Sequence, residues 1–139
     1  MLIGSRAALI RGPSGSGKSR LAWALIDAAA SGLIRFARLV ADDRVELTAR
    51  HGRLLVRPAE ALAGLIEIRG LGIRRVPHEP LAVVGLLVEL GQAEAERLPD
   101  PARTQAEIAC IALPRLAVAA GADPLPLLLA KLQITIDPS

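Results

Sequence analysis

Gly12-Pro13-Ser14-Gly15-Ser16-Gly17-Lys18-Ser19 is the stretch that decides the fold of this chain. It fills every fixed position of the phosphate-binding loop pattern G-x-x-x-x-G-K-[ST], the P-loop. The apolar residues 7–10 before it predict a short buried strand, and residues 21–28 after it predict a helix. Strand, glycine-rich loop and helix in this order are the local structure that the motif requires. The sequence therefore predicts a site for a nucleoside phosphate.

The residue types of the loop suit phosphate chemistry. Glycines permit backbone dihedral angles that other residues avoid, so successive N–H groups can point at one anion in front of the positive end of the following helix. Lys18 would bring a compact positive charge to the β- and γ-phosphates, and Ser19 would bind Mg²⁺ through its hydroxyl group. Residues 12–19 are therefore predicted to hold a nucleotide together with Mg²⁺.

Length and composition limit the class of protein. The 139 residues predict a single domain, residues 1–139, with one packed core. The 17 basic and 14 acidic residues are interspersed, so the chain lacks the basic run that is typical of nucleic-acid binding. Arg6 and Arg11 argue against a signal peptide, and no window holds the roughly 18 uncharged apolar residues of a membrane span. We expect a cytoplasmic protein that binds neither nucleic acid nor membrane.

Apolar periodicity predicts the other elements. Strands are predicted at residues 39–41, 45–48, 54–56, 65–69, 81–90 and 108–113, helical turns at residues 58–63, and a terminal helix at residues 125–132. Residues 51–52 and 70–72 are predicted turns. Cys110 lies inside the apolar run 108–113 and is predicted to be a small buried core residue. This order predicts an α/β domain whose sheet contains hairpins.

Two sets of carboxylates are candidates for the phosphate site. Apolar residues 39–41 followed by Asp42 and Asp43 resemble a short Walker B element, which delivers a carboxylate to the phosphates. In an extended strand only one of these two aspartates can point at the nucleotide, and two surface aspartates at a turn remain the alternative. Glu67 and Arg69 share a face of their predicted strand, next to glycines that allow a ligand to approach closely.

Three segments together resemble the catalytic domain of HPr kinase/phosphorylase. They are the P-loop in its G-x-S-G-x-G-K-S form, Val40-Ala41-Asp42-Asp43, and residues 65–73, which are close to a signature of that family. The resemblance extends to about residues 97–99 and is greatest to short members of the family that lack an N-terminal domain. It implies an α/β P-loop domain akin to phosphoenolpyruvate carboxykinase, with a mixed sheet and flanking helices.

The resemblance also implies an activity. Members of the family are ATP-dependent kinases that phosphorylate a serine of the small phosphocarrier protein HPr, and many catalyse the reverse phosphorolysis, which yields pyrophosphate. ATP and Mg²⁺ are the implied cofactors, HPr is the implied partner, and we expect a homo-oligomer. A nucleotide-binding module without catalysis and a P-loop kinase of a small molecule remain alternatives.

Site residues follow by matching motifs. Lys18 matches the catalytic lysine of the family, and Ser19 and Glu67 match its magnesium ligands. Asp43 matches the carboxylate that takes the serine proton, and Asp42 would support it. Arg97 matches a functional arginine, and a surface arginine is its alternative.

Some positions depart from the family pattern. The histidine that assists the aspartate in family members lies upstream of the P-loop strand, and this chain begins after that position, so either its start is truncated or the base works without that partner. Residues 31–38 resemble an insertion, and Arg74-Arg75 replaces an apolar residue and an acidic or amide residue. Gly121-Ala122-Asp123 stands in the place of a Gly-Arg-Asn-like stretch that is tied to dephosphorylation. This last departure predicts weaker phosphorylase than kinase activity.

Overall fold

The computed structural model describes residues 1–42, 44–93 and 101–136. Helices and strands alternate unevenly along the chain, and most strands are short. In chain order they are β1 (Leu2–Ile3), β2 (Arg6–Arg11), α1 (Lys18–Ala30), β3 (Ala37–Arg38), β4 (Val45–Arg50), β5 (Arg53–Pro58), β6 (Leu65–Ile68), β7 (Gly72–Arg75), β8 (Ala82–Gln92), β9 (Gln105–Ile108), β10 (Ile111–Ala119) and α2 (Pro124–Ile136). Short 3-10 turns occupy Glu60–Leu62 and Pro101–Thr104.

The central sheet is mixed, and its middle is parallel. Its strand order is β3-β1-β2-β8-β10-β9, with β2 and β10 each parallel to β8. The β4–β5 hairpin joins this sheet through the antiparallel pairs Leu55–Val83 and Val56–Ala82. Because the carboxyl ends of parallel strands lie at one edge of a sheet, the loop after β2 and the connection after β10 both lie at that edge.

Both faces of the sheet are buried. Residues of β8 divide between two cores: Leu86, Val88 and Leu90 belong to one cluster and Val84 and Leu87 to the other, with an irregularity of the β2–β8 pairing between Val84 and Leu86. The first cluster contains buried residues of α1 and α2, and the second contains Leu54 and Val56 of β5. The helices therefore cover one face and the β4–β5 hairpin contributes to covering the other. Neither described helix is long and apolar enough to cross a membrane.

The β6–β7 hairpin stands apart from this sheet. Its two strands form a separate two-stranded sheet. Ile66 is fully buried in the helix-side core and Ile68 packs against that core, whereas every residue from Arg69 to Arg75 is exposed. The hairpin is therefore anchored through β6 and projects its other end from the surface.

Two predicted elements were wrong in detail. Residues 39–41 do not form a strand: β3 ends at Arg38, and Leu39 makes only an isolated bridge with His78. The predicted helical turns at residues 58–63 shrink to the 3-10 turn Glu60–Leu62, because Pro58 belongs to β5. A three-residue apolar run cannot distinguish a paired strand from a buried extended segment.

The prediction for residues 108–113 was also wrong. The run is the turn of a hairpin, in which Ile108 pairs with Ile111 and a two-residue loop, Ala109–Cys110, reverses the chain. Cys110 is exposed and adopts a φ of 66°. Apolar residues without glycine, asparagine or aspartate give no sequence signal for such a turn.

Candidate active site

The loop after β2 is built to receive an anion. Gly15 and Gly17 have φ values of 80° and 99°, which only glycine adopts at little cost. The first backbone hydrogen bond of α1 runs from the Leu21 N–H to the Gly17 carbonyl, so the N–H groups of the first helical turn stay open. That turn contains no acidic side chain. The open N–H groups and the helix dipole together favour a phosphate group.

Gly12 is required by packing rather than by its dihedral angles. A Cβ atom there would lie 2.6 Å from Ser16 Oγ and 3.1 Å from Leu90 Cβ. The Ser16 hydroxyl is buried and has no hydrogen-bond partner among the described residues. Any larger residue at position 12 would push Ser16 outward and distort the loop.

Lys18 folds back across the loop. Its Nζ donates to the Gly12 carbonyl oxygen at 2.7 Å and lies 3.5 Å from that of Pro13. Lys18 and Asp42 line one cavity whose other walls are mostly apolar. Met1 also lines this cavity, and burial lowers the pKa of its α-amino group to about 5. At neutral pH the Met1 amine is therefore uncharged, and Lys18 supplies the positive charge of this cavity.

Asp42 joins the three segments that the sequence nominated. The Ser19 hydroxyl donates to Asp42 Oδ1 at 2.6 Å, and the Glu67 backbone N–H donates to Asp42 Oδ2 at 2.9 Å. One carboxylate thus connects the P-loop, the segment after β3 and the β6–β7 hairpin. Strand alternation left the choice between Asp42 and Asp43 open, and the family resemblance gave Asp42 only a supporting role.

The segment that delivers Asp42 is held from the side. The Glu79 N–H donates to the Leu39 carbonyl oxygen at 2.8 Å, and Leu39 makes a parallel bridge with His78. Arg38 and Glu79 form an ion pair of 2.9 Å. These contacts fix an extended chain without a long strand, and Asp42 lies at its end.

Two of the nominated residues fall outside the described ranges. Asp43 lies in the gap between residues 42 and 44, and Arg97 in the gap between 93 and 101. Their predicted roles, proton acceptor and functional arginine, stay predictions.

The oxygen groups beside the loop suit a hard divalent cation. The Ser19 hydroxyl and the Asp42 carboxylate, which are in contact, are the kinds of ligand that Mg²⁺ takes, and Glu67, the other predicted ligand, contacts Asp42 through its backbone N–H. Within the described ranges no three His, Cys, Asp or Glu side chains cluster closely enough to form a metal site on their own. Few protein ligands are typical for Mg²⁺ at nucleotide sites, since it keeps waters and binds phosphate oxygens.

A second charged cluster, which the sequence did not nominate, borders the P-loop strand. Glu89 of β8 accepts from Arg115 Nε at 2.7 Å, and Arg11 lies 3.8 Å from the same carboxylate. Arg11 and Glu89 are register partners across the β2–β8 pair. The cluster neutralises Glu89 beside the start of the loop, and only the strand pairing, which the sequence leaves open, brings these side chains together.

The connection between β10 and α2 lies beside the loop. Gly15 and Ser16 line a second cavity together with Gly121 and Ala122. Asp123 Oδ1 accepts from the Leu125 N–H at 3.1 Å, so this aspartate caps α2 at its N-terminus. The stretch that stands in the place of the Gly-Arg-Asn-like segment is therefore next to the candidate phosphate site.

The fold and the site together define a P-loop phosphate-binding domain of the α/β class. The chain belongs to a particular family of such domains: the HPr Serine kinase C-terminal domain family, whose model matches residues 3–79. That range contains the P-loop, Asp42 and the β6–β7 hairpin.

Individual proteins that are similar in sequence to this chain carry the name of the same kinase. The HPr kinase/phosphorylase of Streptococcus thermophilus (strain ATCC BAA-491 / LMD-9) is 50% identical over 66 residues, 47% of this chain and 19% of that protein. The HPr kinase/phosphorylase of Clostridium tetani is 44% identical over 91 residues, 60% of this chain and 28% of that protein. The matches thus span less than a third of the length of either relative.

A solved structure extends the likeness to almost the whole chain. The Hpr(Ser) kinase/phosphatase from Coxiella burnetii superposes with a TM-score of 0.73 at 28% sequence identity, covering 96% of this chain and 84% of that one. The predicted fold class, an α/β domain with a mixed sheet and flanking helices, is thereby confirmed.

Proposed function

We propose that this chain is an ATP-dependent protein serine kinase whose target is the phosphocarrier protein HPr, and that residues 1–139 act as one catalytic domain. The observation that carries the proposal is the position of Asp42 between the Ser19 hydroxyl and the Glu67 N–H, at 2.6 Å and 2.9 Å. This arrangement gathers the phosphate loop, a carboxylate and the β6–β7 hairpin at one place. The names of the Streptococcus and Clostridium relatives support the choice of reaction and target.

The loop residues would bind and orient the nucleotide. Backbone N–H groups around Gly15 and Gly17 bind the phosphates, and the Lys18 ammonium offsets charge on the phosphoryl group that is transferred. Mg²⁺, when bound by Ser19 and Glu67, would neutralise further charge on the phosphate oxygens. Asp42 keeps the Ser19 hydroxyl in one orientation. Phosphoryl transfer needs mainly such positioning and charge compensation, which this chain offers.

The serine hydroxyl that accepts the phosphoryl group needs a base to take its proton. The proton of the target serine hydroxyl would pass to the Asp43 carboxylate as the oxygen attacks the γ-phosphorus and the bond to the ADP oxygen breaks. Asp43 follows Asp42 directly in the chain, so a base at this position would lie beside the residue that contacts the P-loop serine. Arg97 would offset phosphate charge in the same reaction.

The test is transfer of labelled phosphate. The purified chain is incubated with HPr and ATP that is labelled in its γ-phosphate, and phosphoserine is measured on HPr and on an HPr variant whose target serine is alanine. Label on the first protein alone supports the proposal. Nucleotide binding without transfer would instead favour a regulatory module, and turnover only with metabolites would favour a small-molecule kinase.

A further inference from the structure

The free end of the β6–β7 hairpin exposes large apolar side chains close to the candidate active site. Leu71 is 59% exposed and Ile73 is 65% exposed. The hairpin starts at the site itself, because the Glu67 N–H of β6 donates to Asp42. Exposed apolar groups beside polar ones are typical of surfaces that bind another protein.

The strand register places Ile73 on the side of the hairpin that carries Glu67. Glu67 pairs with Ile73, and Leu65 pairs with Arg75, so these four residues share one face. The opposite face carries Ile66, which is fully buried in the core, and Arg74. The face with the candidate magnesium ligand is thus the outward one, and Ile73 lies about 5 Å from Glu67 across the pair.

The charge of this surface is positive. Arg75 lies on the outward face and Arg69 in the turn beside it; both are exposed, and neither forms an ion pair with another described residue, while Arg74 lies on the opposite face. Arg74 uses one N–H on the carbonyl of Ile73. A complementary partner would present apolar side chains bordered by carboxylates.

We propose that the outward face of the hairpin, formed by Glu67, Ile73 and Arg75 with Leu71 at its end, is the docking face for the protein substrate. The inference rests on the proposed function and names how that site recognises its target. From Glu67 to the end of the hairpin the face extends roughly 10 Å, at about 3.3 Å per residue. A protein surface next to the phosphorylated serine spans that distance, whereas a small metabolite held at the phosphates does not.

The experiment compares two equally exposed residues. Ile73→Ser removes the apolar group from the docking face, and Leu33→Ser removes one that is also 65% exposed in the turn after α1. The 13-residue helix, about 20 Å long, separates that turn from the P-loop. We expect Ile73→Ser to raise the KM for HPr about tenfold, the effect of losing the burial of one such side chain. Leu33→Ser should leave that KM unchanged, and neither substitution should change the KM for ATP.

A second pair tests the charge. Arg75→Gln alters the docking face, and Arg74→Gln alters the opposite face of the same strand. Arg75→Gln should raise the KM for HPr several-fold more than Arg74→Gln, and added salt should reduce the difference between them.

The possible outcomes distinguish a failure of the proposed docking face from a failure of the proposed kinase reaction. Direct binding of HPr is measured beside transfer, in the presence of a non-hydrolysable ATP analogue. If HPr binds but receives no phosphate, the proposed reaction is wrong, and the binding data for the two pairs still decide the docking face. Equal HPr affinity of Ile73→Ser and Leu33→Ser, or no HPr binding by the unmodified chain, overturns the docking face. A loss of self-association in Ile73→Ser would also overturn it, because the face would then join two copies of this chain.

Discussion

The P-loop and the β6–β7 hairpin both donate a hydrogen bond to the Asp42 carboxylate, but the first is packed into the domain and the second ends at the surface. The P-loop is held between β2, which hydrogen-bonds to β1 and β8, and α1, whose Leu21 and Leu25 are buried. The hairpin forms its own two-stranded sheet, and its free end is exposed. Phosphoryl transfer needs groups that are fixed before the substrate binds, whereas a docking face for a protein needs an accessible surface. In the proposed function the P-loop binds the nucleotide and the β6–β7 hairpin recognises the target.

That division predicts which substitutions affect which measurement. Changes in the P-loop should affect transfer with any acceptor, and changes at Ile73 and Arg75 of the hairpin should affect only the protein substrate. The predictions below test the division, beginning with the largest expected effect.

Lys18→Ala should lower the rate of phosphoryl transfer by about 10²-fold or more, because the charge that meets the transferring group is lost. Thermal unfolding should stay close to that of the unmodified chain, since the hydrogen bonds of this side chain to described residues go to carbonyls of the loop. Arg20→Ala is the matched control, because Arg20 is an exposed cation two residues further along α1. Activity of Lys18→Ala within a few-fold of the unmodified chain would refute the assignment of the P-loop.

The neighbouring aspartates should respond differently. Asp43→Asn should abolish transfer and keep the affinity for Mg²⁺-ATP, because an amide retains the shape but cannot take the serine proton. Asp42→Asn should retain more transfer, and it should also weaken Mg²⁺-ATP binding, since Asp42 orients the Ser19 hydroxyl and the Glu67 N–H. Rates and nucleotide affinities of both variants are measured together. If Asp42→Asn proved the more damaging to the rate, the two roles would have to be exchanged.

Ala122→Arg should increase phosphorolysis of serine-phosphorylated HPr several-fold and change the forward reaction little. Phosphorolysis brings inorganic phosphate to an anionic phosphoserine, so an added cation acts where like charges meet. Ala122 is exposed and lines a cavity together with Gly15 of the P-loop. Ala122→Gln adds length without charge and serves as the control. Efficient phosphorolysis by the unmodified chain, or equal effects of the two variants, would show that this stretch does not limit the reverse reaction.

Much of the P-loop region was predictable because its signals are local. The spacing of Gly12, Gly17, Lys18 and Ser19 names both the loop and its chemistry, and the helix begins at Lys18, as the motif requires. The β4–β5 hairpin, with its turn at residues 51–52, also follows from alternation and turn residues and was confirmed, whereas for the β6–β7 hairpin only the first strand and the turn were predicted, and β7 was missed. Local patterns succeed where one short segment carries all the information.

What the sequence could not show depends on contacts between distant segments. Asp42 reaches Ser19 and Glu67 because residues 38 and 39 are fastened to residues 78 and 79. The pairing of Glu89 with Arg115 depends on β8 and β10 being neighbours. No pattern within a single segment encodes either arrangement. The central position of Asp42 in the candidate site was therefore visible only in the structure.

A third hairpin, β9–β10, belongs to the central sheet and can be compared with the β4–β5 hairpin. Its loop Ala109–Cys110 has φ values of 50° and 66°, and the β4–β5 loop His51–Gly52 has 52° and 76°. Positive φ at both central residues is typical of a type I′ turn, where glycine suits the second position. The β9–β10 turn has cysteine there.

Cys110→Gly should therefore stabilise the domain by about 0.5–1 kcal/mol, because relief of the left-handed strain exceeds the entropy that glycine adds to the unfolded chain. Urea unfolding measures the gain, and Gly52→Ala, the reverse change at the equivalent position, should lose a similar amount. Since β10 pairs with β8, the gain should appear in the unfolding of the whole sheet, while the KM for HPr stays unchanged. The exposed thiol at position 110 makes few demands on packing, so the substitution tests the turn itself. A lower stability of Cys110→Gly would mean that the cysteine side chain contributes more to the turn than its backbone strain removes.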